Sequence, residues 1–285
     1  MAMMTLQDGG KMAYVDRGCG RPLLFLHGWG TGSAFFHKQL QYLESDFRVI
    51  APDFRGHGAS SPLPEDGDIH TLARDLGAFL DHLDLQDVIV CGWSMGSMVL
   101  WDFLATVGCD RISQYVVVDM TPKISNDKGW GLGLLYPARR YSDIRGGEEG
   151  RSNWDRTCES FLSKLAPKGS DPVVAEWELK EARRCDPASM FRLWNSLVSE
   201  DYREEVSSLG IPALLIYGEQ SQLYGPETSA WLDAHLPQSS KIAFKRSGHA
   251  PHLDEAERFN SEIVAFANRE GLAKAPCDAS FGHAS

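Results

Sequence analysis

In the stretch "DVIVCGWSMGSMVLWDFLATV", Asp87 to Val107, a β-branched run passes through a Gly-x-Ser-x-Gly pentapeptide into a run with helical character. In such a strand-to-helix elbow the central residue sits in a strained turn. Glycines two positions to either side remove the side chains that would collide with it. Ser94 would then stand above the end of a buried strand at a helix N-terminus, where a nucleophile can be exposed to substrate. The pentapeptide alone is equally the signature of a tight structural turn; its placement directly after "DVIVC" favours the nucleophile.

Outward from the elbow the same alternation repeats. The runs "PLLFLHG", "FRVIAPD", "QYVVVDM", "PALLIYG" and "KIAFKRSGH" are short, aliphatic and bounded by glycine, proline or charge, as buried parallel strands are. Between them lie helical stretches such as "IHTLARDLGAFLDHL", where Leu72, Leu76, Phe79, Leu80 and Leu83 share one face. Strand and helix in alternation imply a doubly wound α/β sheet with its functional groups at the carboxyl ends of the strands. The alternation lapses over residues 123–200, which are rich in helix formers and aromatics and read as a helical cap inserted over those ends. The expected organisation is a core of 1–122 and 201–272, a cap of 123–200, and a disordered tail at 273–285.

The bulk composition narrows the class of protein. At 285 residues, 43% hydrophobic and 24% charged, with eight Trp, the chain has ample material for one core and an insertion. A net charge of -11 argues against a nucleic-acid partner, which needs a concentrated cationic face. The six cysteines show neither CxxC pairs nor metal-ligand spacing and read as reduced thiols. No signal-peptide pattern or membrane-spanning run is present, so the expected location is cytoplasmic, away from membranes.

A serine nucleophile needs a base and donors for the developing oxyanion. "FLHGWG", Phe25 to Gly30, follows an early strand; the Trp29 and Met95 N–H groups are the candidate oxyanion donors, and His27 reads as a brace for this loop. The side chains of Trp29 and Trp93 are candidate pocket walls, with plain packing as the alternative. The base is His249 in "RSGHAPHLDE", in a glycine-containing loop after the last strand, with His252 as its rival. In "PDFRGHGAS", Asp53 and Arg55 are better explained as loop braces than as catalytic groups.

With these motifs in this order the chain resembles the α/β-hydrolase superfamily from about Met12 to Ala267. It looks most like capped bacterial carboxylesterases, including the pimeloyl-acyl-carrier-protein methyl ester esterase group of biotin synthesis. The resemblance implies an eight-stranded, mostly parallel sheet, a cap after the sixth strand, and a nucleophile, acid, histidine order. A serine at 94 makes dehalogenase and epoxide hydrolase chemistry improbable. The chain departs from the pattern in "YGEQSQLYG", Tyr217 to Gly225: the acid of most relatives corresponds to Ser221. A second solution in the superfamily places the acid at the end of the preceding strand, where "VVVDMTP" carries Asp119. Asp119 is therefore the primary candidate and Glu219 the alternative.

The expected function is hydrolysis of a carboxylic ester through an acyl-enzyme, with no metal or organic cofactor. Thioester or carbon–carbon bond hydrolysis are chemical neighbours, and a ligand-binding receptor on the same fold is the non-enzymatic alternative. The cap span holds 13 Lys or Arg against 12 Asp or Glu, in contrast to the acidic remainder. That contrast would make the cap the face tolerable to an acidic acyl carrier protein as partner; a solvated mixed-charge surface is the plainer and favoured explanation.

Overall fold

Every residue of Val88–Trp93 is buried, as a strand covered on both faces requires. In the computed structural model, which describes residues 1–135, 148–169 and 175–269, this strand is β5 of a single sheet. The others are β1 Ala2–Thr5, β2 Lys11–Arg17, β3 Pro22–Leu26, β4 Arg48–Pro52, β6 Ile112–Val118, β7 Ala213–Gly218 and β8 Ser239–Phe244. Their order is β1-β2-β4-β3-β5-β6-β7-β8. From β4 to β8 all neighbours are parallel, while β1–β2 and β2–β4 are antiparallel. The fold is the eight-stranded, mostly parallel α/β sheet expected. The runs quoted from the sequence form β3 to β8; the N-terminal hairpin β1–β2 had no such run, because in β1 only Met4 is buried.

The helices are α1 His37–Leu43, α2 Ile69–His82, α3 Met95–Thr106, α4 Glu148–Leu162, α5 Glu176–Ala182, α6 Pro187–Ser199, α7 Arg203–Ser208, α8 Pro226–His235, α9 Pro251–Asp254 and α10 Ala256–Ala267. Helix α2 starts at a reciprocal cap: Asp68 Oδ1 accepts the Thr71 N–H at 2.8 Å, and Thr71 Oγ1 accepts the Asp68 N–H at 3.3 Å. It buries Leu72, Leu76, Phe79 and Leu80 and leaves Arg74 and Asp81 outside. Among the described residues no helix is long and apolar enough to cross a membrane.

Helices α4, α5 and α6 all fall between β6 and β7, within the span 123–200. The ends of this insertion are stitched together: Lys123 and Asp201 form an isolated antiparallel bridge, and the Tyr202 N–H donates to the Pro122 carbonyl at 2.9 Å. Both passages between sheet and insertion thus leave the core at one place. Cys19, Cys91, Cys109, Cys158 and Cys185 are free thiols; Cys277 and the tail at 273–285 lie outside the described residues.

Candidate active site

Ser94 has φ +52° and ψ −123°, a conformation that side chains rarely adopt, and it caps α3 directly after β5. Two close approaches explain the flanking glycines. A Cβ on Gly92 would lie 2.7 Å from the Ser97 backbone nitrogen, and one on Gly96 would lie 2.2 Å from the Leu26 carbonyl oxygen. The turn is held by the Ser94 N–H on the Val118 carbonyl at 3.0 Å and the Ser97 N–H on the Ser94 carbonyl at 2.8 Å. Met95 opens the helix, so its N–H has no acceptor within it.

The His-Gly-Trp-Gly loop passes against this elbow: a Cβ on Gly28 would be 3.2 Å from that of Ser94. Two buried imidazoles fix the loop from below. His27 Nε2 accepts the Phe54 N–H at 2.9 Å, which leaves the proton on Nδ1 to donate to the Gly28 carbonyl at 2.8 Å. His57 Nε2 accepts the Gly30 N–H at 3.2 Å. Burial lowers both imidazoles below the usual histidine range, His57 well below, which keeps these nitrogens available as acceptors. Asp53 accepts the Ser33 and Ala59 N–H groups at 2.8 and 3.0 Å. Arg55 forms a buried fork on Asp75, both arms at 2.6 Å. Together these hydrogen bonds brace the loops that follow β3 and β4.

His249 stands in the loop between β8 and α9. Its N–H donates to the Leu165 carbonyl at 2.9 Å, its carbonyl accepts the Trp93 indole N–H at 2.8 Å, and the preceding Gly248 N–H donates to Asp254 at 2.8 Å. The imidazole is fully buried, and Nδ1 meets Asp119 Oδ2 at 2.7 Å. Nε2 has no hydrogen-bond partner, so Ser94 Oγ and His249 are not bonded to each other here. Contacts of this kind tighten when substrate binds. His252 is also fully buried, but it packs on Trp93 and Phe36 at ring distances of 4.5 and 4.9 Å and neither ring nitrogen has a partner.

The structure places Asp119, with φ +46°, one residue past β6, and its buried carboxylate against His249. Glu219 lies one residue past β7, with its N–H on the Phe244 carbonyl at 3.0 Å and its side chain exposed. Ser221 approaches the acid from the same loop: its hydroxyl donates to Asp119 Oδ2 at 2.7 Å. The loop carrying it is pressed on the histidine loop, since a Cβ on Gly218 would fall 1.9 Å from the Gly248 carbonyl oxygen. It is also clasped by the insertion: Gln222 Nε2 donates to the Ala166 carbonyl at 3.0 Å, and the Lys168 N–H donates to the Gln220 carbonyl at 2.7 Å.

A recess, partly open to solvent, reaches Ser94 and Met95. Trp29, Phe161, Trp194, Leu197 and Leu223 line it, so its wall is apolar. Trp29 is anchored to the insertion, its indole N–H on the Met190 carbonyl at 2.9 Å and its ring edge-on to Phe161 at 5.1 Å. Trp93 is not part of this wall. It is fully buried beneath the histidine loop, the packing alternative of the two. Tyr224, which lines the recess and lies 5.8 Å from the His249 ring, had no signal beyond its closeness to the serine loop. Among the described residues no group of three or more His, Cys, Asp or Glu is arranged to hold a metal ion.

Known proteins share this architecture. Residues 21–256 match the family model described as alpha/beta hydrolase fold. The non-heme chloroperoxidase CPO-A1 of Kitasatospora aureofaciens is 28% identical over 94% of this chain and 100% of its own length. A pimeloyl-[acyl-carrier protein] methyl ester esterase of Vibrio atlanticus is 29% identical over 88% of this chain and 96% of its own. The esterase of Exiguobacterium antarcticum superposes with a TM-score of 0.86 at 23% identity, over 94% of this chain and 99% of that one, a likeness of fold. With the sheet order, the elbow and a family match over most of its length, this chain belongs to the α/β hydrolase fold family.

Proposed function

We propose that the protein is a serine carboxylic ester hydrolase in which Ser94 is the nucleophile, His249 the general base and Asp119 the group that orients it. The observation that carries this reading is the buried 2.7 Å contact of His249 Nδ1 with Asp119 Oδ2, in the same molecule as a strained serine elbow. Ser94 Oγ attacks the ester carbonyl as its proton passes to His249 Nε2, the nitrogen without another partner. The carbonyl oxygen gathers negative charge and takes up the N–H groups of Met95 and Trp29. Asp119 holds the Nδ1–H tautomer and stabilises the imidazolium. The imidazolium then protonates the departing alcohol. In the second half His249 takes a proton from water, the hydroxide attacks the acyl-enzyme, and Ser94 leaves with the proton returned by His249.

The apolar wall of the recess favours an uncharged acyl group beside Ser94. The relatives named as pimeloyl-[acyl-carrier protein] methyl ester esterases support esters as the substrate class and extend the proposal to a carrier-bound acyl ester. A panel of acyl esters varied in chain length and head group, run beside a fluorophosphonate serine probe, tests the reading. Turnover of an apolar ester with labelling confined to Ser94 is expected; absence of labelling would place the protein among non-catalytic binders.

A further inference from the structure

Ser221 is buried, and its Oγ has a complete set of partners. It accepts the Leu223 N–H at 3.2 Å and the Tyr224 N–H at 3.4 Å and donates to Asp119 Oδ2 at 2.7 Å. A hydroxyl has one proton and two acceptor positions. With two amides pointing at the oxygen, the proton has a single direction left, toward the carboxylate. The oxygen that receives it is the one that His249 Nδ1 contacts.

A carboxylate turns broadly about its last bond, because that torsion has no sharp staggered wells. Asp119 projects from a backbone of φ +46° at a strand end. Two donors converging on one oxygen, from loops 102 and 130 residues away in the chain, fix the rotation that its backbone leaves open. We infer that Ser221 is a positioning residue for catalysis: its hydroxyl gathers the two amide dipoles of its turn and uses the proton to hold Asp119 in the orientation that His249 requires. The inference rests on Asp119 being the orienting acid of the proposed mechanism.

The test compares Ser221→Ala, Ser221→Cys, Ser221→Thr and Asp119→Asn in the full-length protein, with an apolar ester as substrate. Cysteine keeps the shape with only a weak donor, and threonine keeps the hydroxyl. The Ala and Cys variants should lose about 10- to 100-fold in kcat with KM little changed, as expected for one hydrogen bond to a charged group. The low-field proton resonance of His249 Nδ1–H should move or broaden in both, and Thr should stay within about threefold of the parent. If Ala or Cys folds and keeps kcat within about twofold with that resonance unmoved, while Asp119→Asn is crippled, the positioning role is wrong and the acid assignment stands. Losses in Ala and Cys that Thr does not restore, accompanied by a raised KM, would mean a structural role and overturn it as well. An active Asp119→Asn would remove the reading on which the inference rests.

Discussion

Two histidine–aspartate pairs in this molecule have the same contact, Nδ1 to Oδ at 2.7 Å, and opposite surroundings. His70, on α2, is partly exposed and has Asp102 on one nitrogen and Glu200 at 3.5 Å on the other; the Tyr202 hydroxyl donates to Asp102 Oδ1 at 3.1 Å. The hydrogen bond to Asp102 raises this imidazole to about 9, so it is a cation that ties α2 and α3 to the junction of the insertion. His249 is fully buried, its Nε2 has no partner, and Tyr224, 5.8 Å from its ring, lines the apolar recess that reaches Ser94. The short contact therefore does not mark a catalytic pair. What separates the two is whether the second nitrogen remains available and what stands on its far side.

Removing each histidine breaks the comparison most strongly. His249→Ala should reduce kcat/KM by about four or more orders of magnitude in a folded protein, as should Ser94→Ala. His70→Ala should leave kcat/KM within about threefold, since its partners are already spent on structure. His252→Ala should lower the melting temperature by emptying a packed site, while the folded fraction keeps activity within about tenfold. Steady-state kinetics beside circular dichroism checks all four; a crippled His252 variant with an active His249 variant would transfer the base.

The close approach of the loops around His249 and Asp119 gives a smaller effect. Gly218→Ala puts a methyl group against the Gly248 carbonyl and must displace the histidine loop. A misplacement near 1 Å costs up to about 100-fold in rate, so kcat should fall by about 10- to 100-fold. An unaltered kcat would show that the histidine loop does not depend on its contact with the end of β7.

The smallest effect belongs to the His70 pair and is one of stability. A folded-state value raised from 6.5 to about 9 gives a contribution fully present below about pH 6.5 and lost as pH rises through 9. Because the imidazole is partly exposed, the change is small: roughly 2 °C in melting temperature between pH 6.5 and 9. His70→Gln should remove that part of the decline, and an identical pH profile in the variant would detach it from His70.

The sequence made the inner strands legible because buried parallel strands are continuous aliphatic runs, as in Val88–Trp93. It left the N-terminal hairpin unmarked because an edge strand with one buried residue has no such run. At the candidate site, the strained turn at Ser94 was readable from glycine placement, and the strand-end positions of Asp119 and His249 from the aliphatic runs before them. The bond from Ser221 to Asp119 was not: it joins residues 102 apart, and no local pattern encodes a contact between two loops brought together by the pairing of β6 with β7. The fate of Trp93 was equally hidden, since which face a residue leaving a strand turns to depends on the loop that covers it.

In the proposed mechanism the orienting carboxylate stands at the end of β6, with a serine beside it from the loop after β7. The measurement that bears on it most directly is kcat/KM for Asp119→Asn, Glu219→Gln and the double variant Asp119→Asn with Ser221→Asp. Loss of the carboxylate that holds the tautomer costs about 10⁴-fold. Asp119→Asn should therefore fall by about that factor and Glu219→Gln by less than about tenfold. The double variant should recover part of the loss, because the Ser221 hydroxyl already lies 2.7 Å from the oxygen that meets His249. A crippled Glu219→Gln beside an active Asp119→Asn would contradict the account.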